Sequence, residues 1–379
     1  MIDICIIGGG AAGMTAAICA KETNPALDVL ILEKKNQLGK KILATGNGRC
    51  NLSNRTCPGC GGTQDFFERL GLVTRTDDAG RIYPYTEEAR AVQGALTARL
   101  QQLSVKADTC SEVISVEKKD EGFRIHLANG EVAAKKVLIA CGGKAGPAYG
   151  STGDGFRFAR SLGHRVEKLV PVLTAVNVEE DMEKLAGIRA KGAVGLYFQD
   201  KEIFRETGEI QFTKTGISGI CVFNLSRYLL IPAGRRLEDG FDDYRIGVDF
   251  FPDMETEKLE DLLVRRQAAG FEGEKLLRYL VRGPIGTKIL ESSKSDVKTA
   301  AGLLKDFPLS PKGVRGWDFA QVTKGGVCLD EVEPDTCQSR LVKGLYFAGE
   351  VLDYDGPCGG YNLQHAWETG MRAGREMAK

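Results

Sequence analysis

Residues 2–33 read IDICIIGGGAAGMTAAICAKETNPALDVLILE, and this stretch determines the fold. The apolar run Ile2–Ile7 is long enough only for a buried strand, and it ends in the glycine-rich segment 8–13. Small and helix-forming residues with apolar positions at helical spacing predict a helix over 11–21, and residues 27–32 predict a second buried strand. A strand, a glycine turn, a helix and a second strand in this order are typical of a dinucleotide-binding βαβ unit.

The individual residues of this unit predict how it holds a nucleotide. Gly8 permits the tight turn, Gly10 allows the backbone to approach a pyrophosphate, and Gly13 allows the helix to pack closely on the strand. The N–H groups at the start of the helix favour phosphate. Glu33 ends the second strand, where a carboxylate accepts hydrogen bonds from both ribose hydroxyls and repels a 2′-phosphate. The unit alone does not distinguish FAD from NAD.

Composition and charge restrict the function classes. The chain has 379 residues, enough for two or three domains, and 42% of them are hydrophobic, as in soluble globular proteins. Lys plus Arg and Asp plus Glu each number 51, so the net charge of zero argues against a preference for nucleic acid or an anionic membrane. The apolar N-terminus lacks a preceding basic region, so we interpret it as a core strand rather than a signal peptide. We expect a cytoplasmic protein with an apolar small-molecule substrate and without a nucleic-acid or membrane partner.

The 11 cysteines are scattered, and several fall inside predicted strands or helices: Cys5, Cys19, Cys141 and Cys221. That pattern is typical of small buried hydrophobes in a reducing cytoplasm. The one CxxC, Cys57-Pro58-Gly59-Cys60, is compatible with a redox-active pair or with half of a zinc site. A second CxxC or histidine pair at ligand spacing is missing from the sequence, so we favour a structural role and predict no metal site.

A polar loop follows the first unit. Residues 40–54 read KKILATGNGRCNLSN, which is rich in glycine and asparagine and contains three cations. Such a loop can wrap a phosphate or present backbone N–H groups to a planar ring. Its position so soon after the glycine fingerprint favours cofactor binding over an ordinary surface loop.

The C-terminal segment is the main reason to prefer FAD over NAD. Residues 345–348 predict a strand, followed by Gly349-Glu350 and Asp353, whose carboxylates can reach ribityl hydroxyls. Gly359-Gly360-Tyr361-Asn362 then opens a final helix, whose N-terminus we expect to face the N1–C2=O edge of an isoalloxazine. A simple NAD dehydrogenase has no use for such a return of the chain.

Several motifs, spread over nearly the whole chain, resemble the BaiN/RdsA-type FAD-dependent oxidoreductases, often labelled aminoacetone oxidase-like. They are TGNGRCN at 45–51, GSTGDG at 150–155, FTKTGISG at 212–219, VTKGGV at 322–327, GLYFAGEVLD at 344–353 and GGYNLQ at 359–364. The resemblance implies reduction of a carbon–carbon double bond conjugated to a ketone, as in bile-acid or steroid intermediates, by hydride from flavin N5. We expect tight, non-covalent FAD, with NADH or NADPH as a transient electron donor.

The chain departs from the pattern of this family in three places. Residues 55–64 form a short segment that carries the CxxC, Lys214 stands where the family often has His, and His365 stands where it often has Trp. Any catalytic role of that family histidine is therefore not carried over to Lys214. The acid that protonates the substrate stays unassigned among Tyr361, His365, Lys214 and Lys324.

The predicted fold class is α/β, a Rossmann-like FAD-binding domain of the two-dinucleotide-fold type with a single fingerprint. Its residues are 1–170 and 323–379, interrupted by an inserted β-rich domain over 171–253 and a small helical piece over 254–322. Beside the nucleotide fold we predict helices over 64–71 and 87–104 and strands over 108–116, 122–127 and 132–140. In related flavoproteins the last of these strands returns to the cofactor, and the glycines at its end allow the protein backbone to approach it.

The predicted cofactor contacts follow from these motifs, with Val113 added as an adenine partner by analogy with other flavoproteins. In chain order they are Gly8, Gly10, Ala11, Ala12, Gly13, Glu33, Lys34, Lys41, Thr45, Gly46, Asn47, Arg49, Cys50, Asn51, Val113, Ala140, Gly142, Gly143, Gly349, Glu350, Asp353, Gly360, Tyr361, Asn362 and Leu363. The alternative functions are a flavin-dependent amine oxidase, a non-enzymatic flavin-bearing RNA-associated protein, and a thiol redox protein that uses Cys57 and Cys60.

Overall fold

A computed structural model describes residues 1–229 and 241–379. Among these residues the α-helices are α1 (Ala11–Thr23), α2 (Cys60–Arg69), α3 (Ala89–Gln102), α4 (Asp154–Ser161), α5 (Ile220–Ser226), α6 (Thr256–Ala268), α7 (Gly283–Ser293), α8 (Val297–Lys305) and α9 (Tyr361–Met377). None of these helices is long and apolar enough to cross a membrane.

The strands of the described residues fall into several sheets. They are β1 (Ile2–Ile7), β2 (Val29–Leu32), β3 (Ser53–Asn54), β4 (Thr74–Thr76), β5 (Arg81–Pro84), β6 (Lys106–Asp108), β7 (Val113–Lys118), β8 (Phe123–Leu127), β9 (Gly130–Ile139), β10 (Val170–Val172), β11 (Val176–Val178), β12 (Arg189–Phe198), β13 (Lys201–Thr213), β14 (Gly216–Ser218), β15 (Tyr244–Asp249), β16 (Phe307–Leu309), β17 (Pro311–Val314), β18 (Val322–Lys324) and β19 (Leu345–Phe347). The chain divides into two compact units, Met1–Pro171 with Gln321–Lys379, and Val172–Ala320.

The first unit contains a seven-stranded sheet in the order β6-β2-β1-β9-β8-β7, with β19 also paired to β9. The strands β6, β2, β1, β9 and β19 run parallel, whereas β7, β8 and β9 form antiparallel hairpins. Residues 130–134 of β9 pair with β8, and residues 137–139 pair with β19. Both ends of the chain therefore join one sheet, and the predicted Rossmann-like α/β fold is confirmed.

The parallel strands are buried because α1, α3 and α9 pack on one face of the sheet, and α4 with residues of the segment 327–352 packs on the other. Ile4 lies beside Val29, and Ile7 beside Ile139, and all four side chains are buried. The continuous apolar runs in the sequence reflect this burial on both faces. The two buried clusters of this unit lie on opposite faces of the sheet, since alternating residues of β1 belong to different clusters.

Helix α9 packs against α1 at two glycines. A Cβ on Gly370 would lie 2.6 Å from the carbonyl oxygen of Ala12, and one on Gly374 would lie 2.3 Å from that of Ala16. Small residues at this spacing let the two backbones approach closely. Because the contacts advance in the same direction on both helices, α1 and α9 run in the same direction, and their N-termini point to the carboxyl end of the parallel strands.

The second unit contains a seven-stranded sheet in the order β16-β15-β12-β13-β14-β11-β17, in which the paired strands are antiparallel. Its core joins side chains of the strands to those of α6, α7 and α8, among them Val248, Phe307, Leu259, Ile289 and Leu304. The sequence predicts a β domain and a separate helical piece here. The structure differs, since the helices bury their apolar faces on this sheet and share its core.

One predicted strand of the first unit is wrong. Residues 108–116 do not form a single strand: β6 pairs in parallel with β2, whereas β7 pairs antiparallel with β8. Between them the chain turns at Cys110, whose φ is 55°, and the N–H of Ser111 donates to the carbonyl of Glu33. Residues 109–112 are largely exposed and have no apolar alternation, so the break lies where the apolar pattern is interrupted.

Candidate cofactor-binding site

The glycine turn between β1 and α1 has no room for side chains at Gly8 and Gly13, but it borders open space at Gly10. A Cβ on Gly8, whose φ is 107°, would lie 2.6 Å from the Ala140 carbonyl oxygen, and one on Gly13 would lie 2.0 Å from the Gly8 carbonyl oxygen. At Gly10, no atom of the described residues other than its own and those of its two chain neighbours lies within 4 Å of the Cβ position. No described side chain caps α1 either, so its first N–H groups can serve a phosphate.

Glu33 holds this turn in place. Its Oε2 accepts a hydrogen bond from the N–H of Gly9 at 2.9 Å, and its Oε1 accepts one from the N–H of Lys35 at 2.7 Å. A carboxylate has about four lone-pair sites, so both oxygens keep capacity for ribose hydroxyls. Lys34, by contrast, forms an ion pair with Asp154 at 2.6 Å, and its ammonium group is engaged there.

The strand β9 returns to the same turn and meets the C-terminal segment. A Cβ on Gly143 would lie 2.3 Å from Thr323 Oγ1 and 2.7 Å from Glu350 Oε1. Thr323 Oγ1 accepts hydrogen bonds from the N–H groups of Lys144 at 2.7 Å and Ala145 at 3.0 Å. The backbone of residues 142–145 is thus fixed by a hydroxyl from β18, a residue that the site prediction omits.

Both carboxylate oxygens of Glu350 accept hydrogen bonds within the protein, which the sequence does not predict. Its Oε1 accepts a hydrogen bond from the N–H of Thr323 at 2.9 Å, and its Oε2 accepts one from Lys41 Nζ at 2.7 Å. Lys41 Nζ also donates to the Ala145 carbonyl at 2.9 Å. The carboxylate therefore joins three segments of the first unit, and only its remaining lone pairs are available for ribityl hydroxyls.

Asp353, the second predicted ribityl partner, lies among other acids. Burial raises the pKa of its carboxyl, and the negative charges of Glu167 and Asp355 raise it further, whereas Lys324 acts in the opposite direction. Its backbone N–H donates to the Val327 carbonyl at 3.0 Å, which fixes the start of the loop before α9.

The polar loop after the first unit is partly helical. Residues Ile42–Gly48 form a 3₁₀ segment interrupted at Thr45, Gly46 and Asn47, and the last two have a φ of 56°. The side-chain oxygen Oδ1 of Asn51 is buried and has no hydrogen-bond partner among the described residues. A buried acceptor of this kind normally has a donor, so the loop has an unfilled hydrogen-bonding position at Asn51.

Two predicted residues of this loop, Arg49 and Cys50, have contrasting surroundings within the protein. The Arg49 guanidinium lies 3.6 Å from Glu87 and 5.2 Å from the centre of the Tyr83 ring, on the exposed side of the loop. Cys50 is fully buried, and burial raises the pKa of its thiol to about 12. Val113 is also buried, in the first pair of the β7–β8 ladder.

The start of α9 packs tightly against β3 and the polar loop. Gly360 precedes the helix with a φ of 103°, and no side chain of the described part of the chain caps it. A Cβ there would lie 2.4 Å from the Ser53 carbonyl oxygen and 2.8 Å from Asn51 Oδ1. The helix N-terminus and the unpaired Asn51 oxygen therefore lie side by side.

Three side chains fix the first turns of α9. The Asn362 amide accepts from the Gly356 N–H at 2.8 Å and donates to the Gly356 carbonyl at 2.9 Å. The hydroxyl of Tyr361 lies 2.7 Å from Thr56 Oγ1, and Leu363 packs against the core. Asn362 thus shapes the preceding loop through its side chain and leaves its backbone N–H at the helix end.

The four candidate catalytic residues have different surroundings. His365 is stacked on Tyr354, with ring centres 4.1 Å apart, and burial, with Arg372 adding to it, lowers the pKa of its imidazole to about 4. Lys324 lies 3.7 Å from Asp355. Lys214 is exposed in the turn between β13 and β14 of the second unit. His365 is therefore a neutral group at pH 7. Of the four residues, Tyr361 is the one at the N-terminus of α9.

The residues present fit FAD. Open space at Gly10, two helix N-termini without a described side-chain cap, and the buried unpaired Asn51 oxygen are the features that a nucleotide diphosphate and a flavin ring require. Within the described ranges no group of three or more His, Cys, Asp or Glu is placed to hold a metal ion.

Sequence reasoning did not assign Thr323, Ser53 or Gln364 to the site. Ser53 Oγ donates to Gln364 Oε1 at 2.6 Å, a bond between residues 311 positions apart. The three residues lie within the motifs at 322–327, 40–54 and 359–364, respectively. Membership of these motifs is the sequence feature that could have pointed to them. The pairing itself cannot be read from local pattern.

The chain is similar in sequence to a protein family and to characterised enzymes, and similar in fold to solved structures. The family model described as HI0933-like protein Rossmann domain matches residues 2–59 and 62–376. A 3-dehydro-bile acid delta(4,6)-reductase of Clostridium scindens is 37% identical over 413 aligned positions, which cover 100% of both chains. A ribosomal RNA dihydrouridine synthase of Escherichia coli is 27% identical, over 99% of this chain and 98% of that protein. Among solved structures, 3-ketosteroid delta1-dehydrogenase from Sterolibacterium denitrificans has the same fold, with a TM-score of 0.54 at 12% identity over 100% of this chain and 99% of that one.

Proposed function

Because the chain belongs to the family of FAD-dependent oxidoreductases that the HI0933-like Rossmann model describes, we propose that it reduces a carbon–carbon double bond conjugated to a carbonyl group. Its substrate is an enone of the steroid or bile-acid type. The observation that carries the proposal is the 37% identity, over the full length of both chains, with a 3-dehydro-bile acid reductase.

The second relative supports the same class of reaction. Dihydrouridine differs from uridine by reduction of the C5–C6 double bond, which is conjugated to the C4 carbonyl. Relatives named for a steroid acid and for an RNA base therefore share the type of bond that is reduced. We therefore infer the type of bond that this protein reduces from both relatives, and its steroid-type substrate from the first alone.

The side chains of the first unit have defined roles in this proposal. Gly10 and the N-terminus of α1 hold the pyrophosphate, and Glu33 holds the adenosine ribose while it fixes the turn through Gly9. The N-terminus of α9 and Asn51 Oδ1 face the ring system. When bound, the flavin supplies the hydride from its N5.

Tyr361 is the residue we assign to proton delivery. Its hydroxyl lies 2.7 Å from Thr56 Oγ1, and two adjacent hydroxyls can hold and pass a proton, since each is both a donor and an acceptor. His365 is less suitable, because its lowered pKa leaves it neutral at the pH of the cell. Lys324 is held beside Asp355.

NADH or NADPH is the electron donor in this proposal. The sequence contains one complete glycine fingerprint, which the FAD uses, and residues 171–322 contain no second one. The nicotinamide therefore binds only transiently, where the substrate also binds.

Two alternatives define the test. An amine oxidase is reduced by amines such as aminoacetone and reoxidised by oxygen with release of peroxide. An RNA-modifying reductase, suggested by the second relative, is reoxidised by ribosomal RNA rather than by a steroid. We would reduce the holoenzyme anaerobically with NADH or NADPH and offer steroid enones and unmodified ribosomal RNA to the reduced flavin. In parallel, amines are offered to the oxidised holoenzyme, whose flavin they would reduce if the protein were an amine oxidase. Flavin reoxidation by the enones supports the proposal, and reoxidation by RNA alone overturns its substrate class.

A further inference from the structure

The segment Cys57-Pro58-Gly59-Cys60, which we call the CPGC turn, is a tight turn of type II. The N–H of Cys60 donates to the carbonyl of Cys57 at 3.3 Å, and Gly59 has φ 76° and ψ 2°. Proline at the second position and glycine with positive φ at the third are the residues that this turn type requires. The sequence of the segment and its backbone thus agree.

A turn of this type brings two cysteines into range of each other. The first and fourth Cα atoms of a β-turn are less than about 7 Å apart. A disulfide needs a Cα separation of about 4.4–6.8 Å. In the described structure Cys57 and Cys60 are both free thiols, so the backbone is already in a conformation that allows them to join.

The two thiols differ in environment. Cys57 is 5% exposed, and burial raises the pKa of its thiol, to which the neighbouring charge of Cys60 adds. Cys60 is half-buried, and its Sγ lies 3.6 Å from the Arg55 carbonyl oxygen. The more accessible Cys60 meets a dissolved oxidant first, and Cys57 is the thiol that then reacts with the oxidised Cys60 to form the disulfide.

We propose that Cys57 and Cys60 form a reversible disulfide when the protein meets hydrogen peroxide. The Cys60 thiolate attacks one peroxide oxygen, the O–O bond breaks, and after protonation a sulfenic acid and one water result. The Cys57 thiol then attacks the sulfenic sulfur, the S–S bond forms, and a second water leaves. The two thiols together lose two electrons and two protons, and the peroxide gains them.

The CPGC turn is attached to the first turns of α9. Gln364 Nε2 lies 3.5 Å from the Pro58 carbonyl oxygen, and a Cβ on Gly59 would lie 1.8 Å from Glu368 Oε1. The preceding residue, Thr56, is bonded to the Tyr361 hydroxyl at 2.7 Å. The thiol pair therefore lies in contact with the helix that begins at the candidate cofactor site, whichever substrate that site takes.

Thiol mapping of the full-length holoenzyme tests this proposal. The protein is treated with hydrogen peroxide, denatured, alkylated and digested, and the cysteines are assigned by mass spectrometry with and without a thiol reductant. We expect the number of alkylated thiols to fall from 11 to 9, with a Cys57–Cys60 link that the reductant removes. The exposed Cys110 serves as the matched control, and C110S should give the same loss as the wild type.

Two further variants separate the roles of the thiols. C57S should leave a sulfenic acid on Cys60 that dimedone traps, whereas C60S should leave Cys57 alkylated after peroxide. If C57S fails to fold, the proposal is still tested by the Cys57–Cys60 link in the wild type and by the alkylation of Cys57 in C60S. The proposal is wrong if Cys57 and Cys60 both stay alkylated in peroxide-treated wild type, or if Cys60 is linked to another cysteine such as Cys358.

Discussion

The Glu33 carboxylate accepts a hydrogen bond from the Gly9 N–H at 2.9 Å, across 24 residues of chain. The residue predicted to bind a ribose therefore also shapes the turn that is predicted to bind the pyrophosphate. Its second oxygen is fixed in the same way by the Lys35 N–H at 2.7 Å. The orientation of the carboxylate is thus set before any ligand binds, which reduces the entropic cost of binding.

Glu33→Ala should weaken FAD binding more than FMN binding. FMN lacks the adenosine ribose, and one lost charged hydrogen bond costs roughly 1.5–3 kcal/mol, or about 10- to 150-fold in Kd. Titration of the apoprotein with each flavin, followed by calorimetry, measures both constants. Glu121→Ala, at an exposed position in the β7–β8 turn, is the matched control and should bind both flavins like the wild type. An unchanged Kd for FAD in Glu33→Ala would refute the assignment.

Gly360→Val should abolish FAD retention or lower the flavin reduction potential. The new side chain would lie 2.4 Å from the Ser53 backbone at a φ of 103°, so the end of α9 has to move. The helix N-terminus favours anionic reduced flavin by about 0.3–1 kcal/mol, and by up to ~2 when partly buried, and displacing it removes that preference.

Gly94→Val is the matched control for this variant. Gly94 lies within α3, and apart from its chain neighbours and the nearby backbone of α3 no atom of the described residues is within 4 Å of its Cβ position. Spectroelectrochemistry of both variants gives the potentials. If flavin-loaded Gly360→Val has the potential and activity of the wild type, the start of α9 is only a structural cap.

His365 should make the stability of the protein depend on pH below neutrality. Its pKa is about 4 in the folded chain, against an ordinary value of 6.5, so the unfolded chain takes up the proton first as the pH falls. The contribution is complete above pH 6.5 and is lost as the pH falls towards 4, by about 3 kcal/mol in all.

Urea unfolding of the wild type and of His365→Phe at pH 7 and pH 5 measures this effect. Phenylalanine keeps an aromatic ring against Tyr354 but cannot take up a proton. We expect the free energy of unfolding to fall about 2 kcal/mol more in the wild type than in the variant between these two pH values. Equal losses in both proteins would show that another group titrates.

Steady-state kinetics should be ping-pong. The chain has one glycine fingerprint, and a nicotinamide that shares the substrate position cannot be bound together with the substrate. Double-reciprocal plots at several NAD(P)H concentrations should be parallel, and substrate at high concentration should compete with the nicotinamide. Intersecting plots, or an isolated complex of both ligands on one protein molecule, would contradict this prediction.

The elements that the sequence predicts well have strong local signals. The strand β1, the glycine turn and α1 follow from an apolar run and from helical spacing, and α9 follows from the paired glycines 359 and 360. Each of these patterns depends on residues within one element. The α/β class and the use of both chain ends in one sheet follow from them.

The contacts that complete the site depend on distant residues. Glu350 meets Lys41 across 309 residues, and Ser53 meets Gln364 across 311, and a single sequence has no pattern that pairs them. The different partners of β6 and β7 likewise depend on tertiary contacts, because β6 pairs with β2 and β7 pairs with β8. Local propensity predicts the elements, and tertiary packing chooses their partners.

Single-turnover reoxidation of the reduced enzyme tests the central claim most directly. The holoenzyme is reduced anaerobically and mixed in a stopped-flow instrument with a 3-oxo steroid that carries conjugated double bonds, and the absorbance of oxidised flavin is followed. We predict reoxidation at a rate that saturates with steroid concentration, with one carbon–carbon double bond reduced per flavin. Flavin that stays reduced with every enone, but is reoxidised rapidly by oxygen after reduction by an amine, would contradict the account.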